Sequence, residues 1–229
     1  MSLTSVYTAP ANLFPPPPLF PAPNVQIYVG SWDAASEGAL LDQYLIRGVL
    51  NVAYDVDDQP SEPAPIPVTG VDPNRPWQAA VAVHKAQSAT HYPQQFAKVG
   101  IIDGAGNNDT TLLAAVYMAD QLFTFPPQTP YPPLKNQYLR GNLLIHCYAG
   151  QSRSVTVAAL YIYYKFAVYL KDPNLGGFQE VYLSVQQARG DYSPPPPTPG
   201  MQEAAAQITS QYQALFPWPV PALSGMREP

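Results

Sequence analysis

Cysteine is nearly absent: Cys147 is the single one in 229 residues. No disulfide framework and no Cys-rich zinc site can be assembled from it, and a lone active thiol calls for a reducing compartment. Charge is scarce too. Asp, Glu, Lys and Arg make up 12% of the chain, against roughly 25% in an average globular protein. The balance is acidic, at −5 net, with no basic run, which argues against nucleic acid and anionic membrane as main partners. No apolar run reaches the roughly 20 residues that a membrane span needs; the longest, 155–170, is interrupted by Lys165. The stretch from Met1 to Val6 lacks a basic segment followed by an apolar one, so no signal peptide is expected. These absences lead us to expect a soluble, intracellular, cytoplasmic protein.

Proline, by contrast, is abundant, with 29 residues, and tyrosine follows with 16. The length suits one domain with decoration. Residues 1–24 read as a Pro-rich arm. Its segment 14–21 favours polyproline II. It serves either as a strap held by Leu13, Phe14 and Phe20 or as a ligand for a proline-recognising module, and the flanking aromatics favour the strap. One folded domain is expected over 25–215, with an insertion at about 55–95, and a surface tail over 216–229.

Within the domain, 25–29 alternates and reads as an edge strand. Residues 34–45 read as a helix capped by Asp33, and 49–54 as a buried strand. The stretch 55–76 is irregular, and 77–89 is compatible with a helix. His84 and His91 fall in this insertion and are not expected to bind metal. A third strand is expected over 96–102, then a flexible loop, 103–108. A helix follows to about 123, capped by Asp109 and burying Leu112, Leu113, Val116, Ala119 and Phe123. Past a Pro-rich connection at 126–133, the apolar run 143–145 reads as the central strand. Residues 153–170 are apolar on nearly every face, the pattern of a buried helix. Further helices are expected over 178–188 and 201–215, with a rigid link at 193–197. The class is α/β, a central and mostly parallel sheet flanked by helices on both sides.

Between that central strand and the buried helix stands His146-Cys147-Tyr148-Ala149-Gly150-Gln151-Ser152-Arg153-Ser154, or H-C-x-x-G-x-S-R-S. A loop leading into a helix N-terminus aims several backbone N–H groups at one spot, and the helix dipole favours negative charge there. A cysteine in that concavity has its thiolate stabilised. An arginine six residues on swings its fork over the same spot and matches two phosphoryl oxygens. The expected phosphate cradle is Tyr148, Ala149, Gly150, Gln151, Ser152 and Arg153. A nucleophile inside an anion cradle suits attack on a phosphate ester.

This stretch resembles the signature loop of the cysteine-dependent protein phosphatases, and its S-R-S ending resembles the dual-specificity branch. The strand–helix–strand opening, with Ile27, Gly30-Ser31 and Val49-Leu50-Asn51-Val52, is similar to the start of that family as well. The resemblance covers roughly 25–212 and is weakest over 55–95. It implies the protein tyrosine phosphatase-like fold and hydrolysis of phosphotyrosine and/or phosphoserine/threonine through a phosphocysteine on Cys147. Arg153 would hold the phosphoryl group, Ser154 would hydrogen-bond the departing thiolate, and His146 would orient the loop. No cofactor and no metal are expected, because Arg153 and the helix terminus supply the charge compensation.

The general acid is sought among Asp103, Asp109 and Asp120. Asp120 falls mid-helix and Asp109 has a capping role. Asp103 follows a strand at the carboxyl edge of the sheet, as the acid does in the family, and is preferred, with Asp109 the alternative. Tyr148, Ala149 and Gln151 are neutral, which favours phosphoprotein or phosphopeptide over phosphoinositide. An RNA 5′ end, a carbohydrate phosphate, a phospho-binding scaffold whose Pro-rich arms recruit partners, and a small-molecule phosphatase with broad tolerance are the other readings.

Overall fold

The computed structural model describes residues 3–10, 25–56, 80–84, 94–124, 142–189 and 200–216. The strap residues Leu13, Phe14 and Phe20, the connection 126–133, the link 193–197, His91 and the tail beyond 216 lie outside them. The strands are β1 (Thr4–Ala9), β2 (Val25–Gly30), β3 (Ile46–Ala53), β4 (Ala80–His84), β5 (Gln94–Ile101) and β6 (Asn142–His146). They form one six-stranded sheet in the order β1-β2-β6-β3-β5-β4. β2, β6, β3 and β5 run parallel, and an antiparallel strand closes each edge.

Strands covered on both faces read as continuous apolar runs, and the core shows why. Ile27, Val29, Leu50, Val52, Val99, Ile101, Leu143 and Ile145 face one large cluster. Their neighbours Tyr28, Val49, Phe96 and Leu144 face a smaller one on the opposite side. The large face is covered by α3 (Asp109–Thr124), α4 (Arg153–Ile162), α5 (Phe178–Ala188) and α6 (Met201–Gln211). The small face is covered by α1 (Trp32–Ala35) and α2 (Gly38–Gln43). The sheet register sets the height of the site: Gly30 of β2 and Asn51 of β3 both pair with His146 of β6. β2 and β6 therefore end level with one another, while β3 passes the same height at Asn51 and runs on to Ala53 before its turn.

Several expectations change. Thr4–Ala9 is not part of an arm; it pairs antiparallel with β2 and buries Leu3, Val6 and Ala9 around it. β2 is consequently an internal strand rather than an edge. The helix expected over 34–45 is two short ones. Ser31, not Asp33, accepts from Ala34 N–H at the start of the first, and the Ser36 hydroxyl folds back onto Trp32 O to end it. Ala80–His84 is a strand paired with β5, not a helix. Asn108, not Asp109, caps α3: its Oδ1 accepts from Thr111 N–H and from the Thr111 hydroxyl, at 2.8 Å each. The buried helix leaves the α-helical register at Tyr163 and continues as a π-helical segment, Tyr163–Tyr169. The helix expected over 201–215 ends at Gln211, short of the buried Leu215, and Phe216 is buried rather than on a surface tail.

Candidate active site

β6 delivers its last residue, His146, fully buried, and its Nδ1 lies 3.4 Å from Cys147 O. Cys147 is 2% exposed at the floor of the loop, and Tyr148 above it is 62% exposed. The loop closes on Gly150, which sits at φ +70°, where a Cβ would come within 2.4 Å of Gly30 O. Both the left-handed backbone and the close approach of β2 require glycine here. Ser152 is the N-cap of α4 but makes no side-chain cap bond, and among the described residues its hydroxyl has no partner. The N-terminus of α4 is thus buried without the side-chain cap that usually satisfies its free N–H groups.

Arg153 opens α4 and is 3% exposed. Its guanidinium is held from three sides. One terminal nitrogen donates to Asp55 and, at 3.3 Å, to Ile101 O; the other stands 3.8 Å from Asp103 Oδ2. Its Nε is buried and has no partner among the described residues. Burial by itself would lower the Arg153 pKa. The hydrogen bond to Asp55 and the charges of Cys147, Asp55 and Asp103 outweigh it, so the pKa is raised and the cation is locked in. On the other side of the thiol, Ser154 Oγ is 3.3 Å from Cys147 Sγ.

Both carboxylates come from turns at the carboxyl edge of the sheet. Asp103 follows β5 and is 46% exposed. Its loop is tied down rather than free, because Asn107 Oδ1 accepts from Ile102 N–H at 2.8 Å and Asn107 Nδ2 donates to Ile102 O at 2.7 Å. The same amide reaches Met201 Sδ at 3.4 Å, and Gly200 packs against Ala105, so α6 backs the loop. Asp109 is the first residue of α3 and Asp120 lies in its fourth turn, where Asp120 pairs with Lys165 at 2.8 Å. Among the acids considered from the sequence, Asp103 is the one placed beside Arg153.

The second carboxylate was missed. Asp55 falls where an irregular insertion was expected to begin, yet its turn is well fastened. Asn51 Nδ2 and Lys98 Nζ both donate to Val56 O, at 2.9 and 2.6 Å, and Asn51 Oδ1 accepts from Ala53 N–H at 2.8 Å. Burial works to raise the Asp55 pKa, but the Arg153 hydrogen bond and the nearby cations prevail and lower it. The signal available in the sequence was its position directly after a strand, the same position that singled out Asp103. Arg189 was also missed. It follows α5, and its Nε donates to Gly150 O at 2.9 Å, one terminal nitrogen to Ala149 O at 3.4 Å, and the other to Thr4 Oγ1 at 3.4 Å. Trp32 N–H donates to the carbonyl before these, Tyr148 O, at 3.0 Å.

The constellation is a buried thiol beneath an uncapped helix end, a confined guanidinium with a free N–H, and an exposed carboxyl group at the rim. No family model and no curated protein sequence matches the chain. Among solved structures it superimposes on a variant of human DUSP28 with a TM-score of 0.50 at 16% identity, over 92% of this chain and 96% of that one. It superimposes on the Yvh1 phosphatase domain from Chaetomium thermophilum with a TM-score of 0.50 at 18% identity, over 81% of this chain and 90% of that one. The fold is that of the dual-specificity phosphatases.

Proposed function

We propose that the protein is a cysteine-dependent phosphatase that hydrolyses phosphomonoesters of protein tyrosine and/or serine/threonine. The observation that carries this reading is the unpartnered Nε of a buried guanidinium whose one terminal nitrogen is committed to Asp55 and Ile101 O, next to a helix end with no side-chain cap and a buried thiol. Buried donors are almost always satisfied, and a phosphoryl group lying over Cys147 would satisfy these.

In the first step the Cys147 thiolate attacks phosphorus, and the bond to the leaving oxygen breaks. The leaving oxygen takes a proton from Asp103. The loop N–H groups and Arg153 hold the equatorial oxygens as charge redistributes. In the second step the Asp103 carboxylate removes a proton from water as that water attacks phosphorus. The P–S bond breaks, and Ser154 donates a hydrogen bond to the departing thiolate. His146 orients the loop, and a reducing compartment keeps the thiol competent. Neutral side chains at Tyr148, Ala149 and Gln151 favour phosphopeptides over polyanionic inositol lipids.

Cys147→Ser tests the mechanism. Turnover of an aryl phosphate should fall on the order of 1,000-fold or more while phosphate-ester binding survives, because the loop donors do not depend on sulfur. Activity near wild type in this variant would refute a phosphocysteine.

A further inference from the structure

A peptide unit is planar and trans, so the C=O of one residue and the N–H of the next point in opposite directions. A donor that captures a carbonyl on the outside of a loop therefore aims the following N–H inward. Three consecutive carbonyls of the signature loop are captured in this way. Tyr148 O accepts from Trp32 N–H at 3.0 Å, Ala149 O from an Arg189 terminal nitrogen at 3.4 Å, and Gly150 O from Arg189 Nε at 2.9 Å. The N–H groups they aim are those of Ala149, Gly150 and Gln151. The first carbonyl is held by backbone, which no side-chain change can remove. The other two depend on one side chain, and Arg189 is itself steadied by Thr4 Oγ1 on β1.

We propose that Arg189 is a positioning residue that fixes the inward direction of the Gly150 and Gln151 N–H groups and so sets the affinity of the loop for a phosphoryl group. This rests on the phosphatase reading of the loop. The guanidinium acts from outside and touches no reacting atom. Its positive charge polarises both peptide units in the direction that strengthens their N–H groups as donors. Its planar fork suits the task, since two carbonyls are held at once. A lysine at this position would reach one of them.

The test compares full-length wild type, Arg189→Ala and Arg189→Lys, reading inorganic phosphate affinity by calorimetry, kcat/KM on an aryl phosphate, and thermal midpoint. Phosphate affinity and kcat/KM should both fall about tenfold or more in Arg189→Ala, the loss of a charge-assisted bond. Millimolar guanidinium should restore part of each, and Arg189→Lys should lie between. A merely structural role would lower the midpoint without rescue by guanidinium. Unchanged phosphate affinity in a folded Arg189→Ala would overturn the proposal. If that variant does not fold, unchanged affinity in Arg189→Lys overturns it instead. A wild type that binds phosphate but does not turn over aryl phosphate would refute the phosphatase reading while leaving the Arg189 comparison decisive.

Discussion

Arg153 carries two carboxylates, and the proposed mechanism gives them different work. Asp55 is hydrogen-bonded to the guanidinium and its pKa is lowered, so it remains an ion and a fixed counter-charge. Asp103 stands 3.8 Å away without a hydrogen bond to the guanidinium, and its side chain is solvent-exposed, as is that of Asp55. Asp103→Asn should cut kcat by roughly 100-fold with a poor leaving group and far less with a nitrophenolate, which needs no proton. Asp55→Asn should lower kcat/KM for both substrates by a similar factor, because it loosens the guanidinium and not the proton transfer. Measuring both variants on both leaving groups separates the roles, and a leaving-group effect confined to Asp55→Asn would exchange them. The sequence made Cys147, Arg153 and Ser154 legible because one loop carries all three. Asp55 holds the same position after a strand as Asp103, but its partner is 98 residues away, and no local pattern pairs it with Arg153.

At the scale of elements, the helix that follows the loop holds a buried charge. The π-helical segment brings Lys165 to face α3, with Nζ 2.8 Å from Asp120 Oδ1. Tyr161 donates to the same carboxylate at 3.2 Å, and the Phe216 ring lies 4.8 Å from the ammonium. Removing one partner strands the other: Asp120→Ala should cost about 3–5 kcal/mol in denaturant unfolding. Asp120→Leu combined with Lys165→Met should recover most of that loss. Equal losses in the single and double variants would show that the pair is not coupled. The sequence showed this helix but not its change of register, since a stretch apolar on every face has no phase to read. β4 was misread because so short a run as 80–84 fits either period. β1 was hidden within a chain segment whose composition is dominated by the prolines after it.

For the molecule as a whole, β1 is both an edge strand and a clasp. Tyr7 donates to Asp172 Oδ2 at 2.7 Å, and its ring lies 4.6 Å from that of Phe166. Burial first, then the bond to Asp172, raise the Tyr7 pKa. Burial opposes ionisation of Asp172, but the bonds from Tyr7 and Asn174 lower its pKa overall. A lowered carboxylate stabilises the fold above its unfolded pKa, and that stabilisation is lost as pH falls through the folded value. Tyr7→Phe should therefore cost about 1–2 kcal/mol at pH 7, and the difference from wild type should shrink as pH falls through the ordinary aspartate range toward the lowered folded value of Asp172. A difference independent of pH would assign the loss to packing alone. The α/β class was legible from the apolar runs and the helix between them. The sheet's edges were not, since edge pairing depends on segments that are distant in sequence.

The shared register of β2, β6 and β3 has a kinetic consequence. Asn142 accepts from Gln26 N–H at 2.9 Å across 116 residues, and it donates to Tyr44 O at 2.7 Å across 98. Arg189 reaches Thr4 across 185. Chains that must close loops of this size before any pairing is rewarded fold slowly, in the range of milliseconds to seconds or longer. The helices form early by comparison, and the phosphate loop can adopt its shape only after β2, β3 and β6 have found their common register. During refolding from denaturant, helical ellipticity should return first, and the aryl-phosphate turnover expected of the proposed function should return in the slowest phase. Protein halted before that phase would be largely helical, close to native in size, and inactive.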